Sequence, residues 1–160
     1  MEIMMTVETK ANLRDETITK LQDLIQLNID SQKGFWQAAE TIKDPTVAAL
    51  FRRIASVRAD NAAELKAHVA FNHEKPREDG SMLGTMHRWW LSARGALVGG
   101  DDHVVLSEAE RGEDAIKQKY EEVLRELPGT AMNDVIIHQY ARVKDQHERI
   151  RDLRDERAIH

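Results

Sequence analysis

The stretch Val104-Val105-Leu106-Ser107-Glu108-Ala109-Glu110-Arg111-Gly112-Glu113-Asp114-Ala115-Ile116 combines a helical apolar repeat with acids that fall on it. Leu106, Ala109, Glu113, Ile116, Tyr120, Val123 and Leu127 recur at three- and four-residue steps. A helix formed here therefore turns Glu113 toward its buried face and carries Glu110 on the shoulder of the same stripe. An ionised carboxylate taken out of water is costly unless a cation, a metal or several donors meet it. The rest of the chain must supply those partners.

Working outward, the apolar spacing predicts three more long helices. Ile18, Leu21, Leu24, Ile25, Phe35, Ala38 and Ala39 mark one over about 15–43, with Asn28 interrupting its stripe. Asp44-Pro45 reads as an N-cap followed by proline at the first helical position, so the chain reverses with almost no loop. The second helix, about 45–73, follows Val47, Phe51, Ile54, Leu65 and Val69, and its stripe passes through Arg58 and close to Asn61. A breaker-rich connector then leads to a shorter amphipathic helix over about 82–98, with Trp89-Trp90 on it, before Gly99-Gly100-Asp101-Asp102 opens the third long helix. Pro128-Gly129-Thr130 is the last break, and the fourth helix, about 131–158, turns Met132, Ile136, Gln139, Val143, Gln146 and Ile150 inward. Residues 1–14 show no period and read as a flexible segment. The expectation is an all-α single domain over 15–158: a four-helix bundle with a long crossover that carries a short fifth helix.

Composition narrows the function classes. The chain of 160 residues has no cysteine, which removes disulfides, thiolate metal sites and cysteine nucleophiles together. Its 28 acids and 23 bases are interspersed, the pattern of solvated helix faces, which argues against a nucleic-acid partner. Neither a leader-like start nor an apolar run of membrane-spanning length is visible, so the expected location is the cytoplasm, away from membranes. No glycine-rich phosphate loop and no nucleophile elbow occurs.

Antiparallel helices of equal rise set residues equidistant from a turn opposite each other. Counting from the two tight reversals puts Asn28 level with Asn61, Glu110 near His147, and Glu113 near Val143 and Lys144. The layout resembles the ferritin-like proteins, in which one helix of each pair gives a Glu and the other a Glu-x-x-His to hold two metal ions. By level, those positions fall on Asn28, Asn61-x-x-Glu64, Glu110 and Lys144-x-x-His147, and only Glu110 and His147 match in type. The chain is similar in particular to a bacterial group of uncharacterised ferritin-like four-helix bundles. Gly34-Phe35 before Ala38-Ala39-Glu40, His87-Arg88-x-Trp90, Gly99-Gly100-Asp101-Asp102, Glu108-x-Glu110-Arg111-Gly112-Glu113-Asp114 and His147-x-x-Ile150 carry that likeness. It implies a fold more firmly than an activity.

Two readings of the polar residues stay open. In one, a buried layer of Asn28, Arg58, Asn61, Glu113, Lys144 and Gln146 neutralises its own charges and fixes helix register, in a protein without catalysis or cofactor and with a stress-related or partner-binding role. In the other, Glu64, Glu110 and His147, helped by Glu113, hold a single iron, manganese or zinc ion for redox chemistry or iron handling. A third possibility is association, with itself or with another protein, through the crossover helix around Trp90.

Overall fold

The computed structural model describes residues 7–78 and 102–158 of the chain. Four long helices make up almost all of it: α1 (Asp15–Thr41), α2 (Pro45–Phe71), α3 (Asp102–Glu126) and α4 (Asn133–Ala158). The fifth helix expected over 82–98, and the surface around Trp90, lie outside the described residues.

Local chemistry explains the ends. Asp44 caps α2, its Oδ1 accepting from the amides of Thr46 at 2.9 Å and Val47 at 3.3 Å, with Pro45 at the first helical position where its missing N–H is no loss. At the other tight reversal Gly129 adopts φ +76°, a left-handed conformation that glycine takes without strain. Between these turns α1 packs on α2 and α3 on α4, and the two hairpins close on a common core. Phe35 and Phe51 meet edge to face across α1 and α2, with centroids 5.2 Å apart.

Ion pairs fix the direction of each helix. Lys20 and Asp23, early in α1, pair with Glu126 and Lys119, late in α3, at 2.7 and 3.7 Å. Arg157, at the end of α4, pairs with Asp44 at the start of α2 at 2.9 Å. Hence α1 and α3 are antiparallel, α2 and α4 are antiparallel, and α2 runs parallel to α3. The chain leaves Phe71 at one end of the bundle and re-enters at Asp102 at the other, a separation of about 40 Å for helices of this length.

Of the segment expected to be flexible over 1–14, the structure describes residues 7–14. From Glu8 onward the segment is tied down, because its polar groups find partners on three other elements. Glu8 Oε2 accepts from the Arg14 amide at 2.9 Å and the Thr17 hydroxyl at 2.6 Å, and its Oε1 from the Thr130 hydroxyl at 2.7 Å and the Ala131 amide at 2.9 Å. One carboxylate thus joins the entry to α1 to the α3–α4 turn. Asn72, just past α2, accepts from the Leu13 amide and donates to the Lys10 carbonyl, both at 2.8 Å, and Leu13 is buried beneath.

Candidate functional site

Every helix buries polar side chains within its length, and they fall in two tiers. The first is Asn28 from α1, Asn61 from α2, Tyr120 from α3 and Gln139 from α4, all fully buried. Asn28 Nδ2 donates to the Leu24 carbonyl and to the Tyr120 hydroxyl, each at 2.8 Å, while Asn61 Nδ2 donates to Asn28 Oδ1 at 3.3 Å. The Tyr120 hydroxyl donates in turn to Gln139 Oε1 at 2.7 Å. Gln139 Nε2 donates outward to Glu64 Oε1 at 2.7 Å and to the Asn61 carbonyl at 3.3 Å, and Arg142 donates to Asn61 Oδ1 at 3.2 Å. Burial pushes the Tyr120 phenol up to about 12, against the opposing pull of the Asn28 hydrogen bond and the Arg58 charge. It is a neutral hydroxyl that hands a hydrogen bond from one hairpin to the other.

The second tier is charged. Arg58 on α2 and Glu113 on α3, both 0% exposed, form an ion pair between the hairpins, and Arg58 Nε donates to the Ser31 hydroxyl of α1 at 3.3 Å. Gln146 of α4 is buried as well. The inward acid of α3 is therefore met by an arginine from the opposite hairpin.

At the α3–α4 edge lies a third group. His147 Nε2 is 2.6 Å from Asp114 Oδ1 and 3.9 Å from Glu110 Oε1, and the Arg154 guanidinium pairs with the other Glu110 oxygen. His147 and Glu110 are mostly covered, whereas Asp114 is half exposed.

The proposed metal ligands do not share one site. Glu110 and His147 come together, but Glu64 stands at the exposed rim of the first tier on Gln139, and Glu113 is taken by Arg58. Lys144 does not belong to the buried layer: it is exposed, with its ammonium 5.7 Å from the centre of the Tyr140 ring. It follows Val143 by one residue, about 100° around the helix from the stripe that Gln139, Val143 and Gln146 bury. The residues at the ferritin-like ligand positions consequently do not fit a pair of metal ions, since two are amides, one is an exposed lysine, and the facing carboxylates are held by Arg58, Arg154 and Gln139. Among the described residues no group of three or more histidine, aspartate or glutamate side chains is arranged to hold a metal ion.

Several members of these clusters escape a sequence reading. Tyr120 reads as one more apolar position of α3, and its hydroxyl leaves no periodic signal. Ser31, Arg142, Asp114 and Arg154 sit at polar positions that look solvated, and only the long-range pairing gives them partners.

The profile of a domain of unknown function, DUF2383, matches residues 16–126, more than half of the chain. The chain belongs to the DUF2383 family. No curated protein matches it. In this DUF2383 protein the matched span holds Asn28, Arg58, Asn61, Glu113 and Tyr120, while Gln139, Gln146, His147 and Arg154 lie beyond it on α4. Among the described residues no helix is long and apolar enough to cross a membrane.

Proposed function

We propose that this DUF2383 protein is a ferritin-like bundle that has exchanged metal chemistry for a charge-paired core, and that it serves in the cytoplasm as a non-catalytic scaffold for a protein partner. The observation that carries this reading is the Arg58–Glu113 pair, buried between the hairpins at mid-height. A guanidinium there brings the positive charge and bulk that a divalent ion would otherwise bring to the inward carboxylate. The ferritin-like part draws support from helix order: α1 antiparallel to α3, α2 parallel to α3, and a connection joining opposite ends. The interspersed acids and bases of the sequence, with acids in excess, argue against a nucleic-acid partner.

Elemental analysis of protein purified without chelator, beside a His147→Ala variant, tests the reading. Neither sample is expected to hold stoichiometric iron, manganese or zinc. A full equivalent in the parent that disappears in His147→Ala would overturn it and restore a metal centre at the α3–α4 edge.

A further inference from the structure

The two tiers differ in how completely their hydrogen bonds close. In the first, Asn28, Asn61, Tyr120 and Gln139 all have side-chain partners. In the second, Arg58 Nη1, Glu113 Oε1 and Gln146 Oε1 are buried with no hydrogen-bond partner in the protein. We infer that the second tier is a binding site for one internal water molecule, which accepts from Arg58 Nη1 and donates to Glu113 Oε1 and Gln146 Oε1.

The register of α3 and α4 sets Glu113 against Gln146, and the ion pair carries the Arg58 guanidinium to Glu113. Ser31 and Arg58 stand one turn along α1 and α2 from Asn28 and Asn61, which are bonded to each other, and Arg58 bonds to both Ser31 and Glu113. Glu113 precedes Tyr120 by two turns, and Gln146 follows Gln139 by two turns. The antiparallel register that joins Tyr120 to Gln139 thus sets Glu113 opposite Gln146, and the neighbouring contact of Asp114 with His147 repeats it.

Hydrogen-bonding capacity then selects the occupant. Arg58 Nη1 can only donate, whereas an ionised Glu113 oxygen and an amide oxygen can only accept. A water molecule has two donors and a lone pair to match. A cation would lie against the Arg58 charge, an anion would face two oxygens, and an apolar group would leave all three atoms without partners in a dry core.

Water-¹⁷O magnetic relaxation dispersion of the intact protein tests this, since it counts waters held for longer than the tumbling time. The parent is expected to show a long-lived water whose amplitude drops by one molecule in Gln146→Leu, which removes one acceptor and fills its space. Equal amplitudes in the two proteins, or none in the parent, would overturn the inference. Should Gln146→Leu fail to fold by circular dichroism, cross-relaxation between the Arg58 side-chain protons and water in the parent decides: a direct contact supports the site, and its absence rejects it.

Discussion

At the centre of the bundle, Arg58 and Glu113 lie where neither can reach bulk water, so each depends on the other. Truncating either one strands a charge in the core, a loss of about 3–5 kcal/mol for a buried pair. Arg58→Ala and Glu113→Ala should each fall in that range in urea denaturation. Replacing both at once with Met and Leu should return most of the lost stability, because two apolar groups of similar volume need no partner. Tyr120 gives a second expectation. Its phenol is held near 12, above the ordinary value of 10, so the folded state keeps a proton that the unfolded chain releases first. The corresponding stabilisation is complete below pH 10 and is lost as pH rises toward 12. A spectrophotometric titration at alkaline pH should show the Tyr120 phenolate only together with unfolding, and an early, reversible ionisation of both tyrosines would contradict the buried hub.

Among the elements, the cap of α2 is worth separating from its role in joining helices. One Asp44 oxygen holds the Thr46 and Val47 amides and the other holds Arg157 at the far end of α4. Burial would raise the Asp44 carboxyl, but the Val47 amide, Arg157 and the Thr46 amide together lower it. Asp44→Ala should lower stability by about 0.5–2 kcal/mol through the cap alone. Asp44→Asn, which can still cap, should fall between that variant and the parent in thermal melts. The Asp44-Pro45 signal is readable because capping and proline geometry are local, and for the same reason the long helices end within a few residues of where their spacing predicts. Counting from that turn also brings Asn28 to the height of Asn61. Height does not give azimuth: Lys144, which the count puts near the level of Glu113, is exposed, and Glu64 reaches the rim and not the core. Glu8 is harder still to read, since its partners at Thr130 and Ala131 come from the other end of the sequence and no local pattern can announce them.

For the molecule as a whole, the hairpins meet through few polar contacts, but these are specific. Asn28 to Tyr120 and Arg58 to Glu113 each join one hairpin to the other, so a slip by one helical turn would unpair both tiers together. Glu8 adds a fastening outside the core. Burial would raise its carboxyl, yet the Thr17 hydroxyl, the Arg14 and Ala131 amides and the Thr130 hydroxyl outweigh that and hold it at about 2, against an ordinary 4.5. A depressed carboxyl contributes stability that is present above pH 4.5 and is lost as pH falls toward 2. The melting temperature of the parent should therefore exceed that of Glu8→Gln at pH 7, with the gap closing on acidification. A gap unchanged at pH 3 would show that the carboxylate's charge does not carry the clamp.

The family match stops at the last residue of α3, and α4 is what roofs over Ile116, Tyr120 and Val123. Expression boundaries trimmed to 16–126 would strip away that roof and the Glu8 fastening in one cut. Such a truncated product should bind hydrophobic dyes and sediment as aggregates, whereas the chain carried through Ala158 stays monodisperse. The span that carries the family match is shorter than the span whose helices close the core.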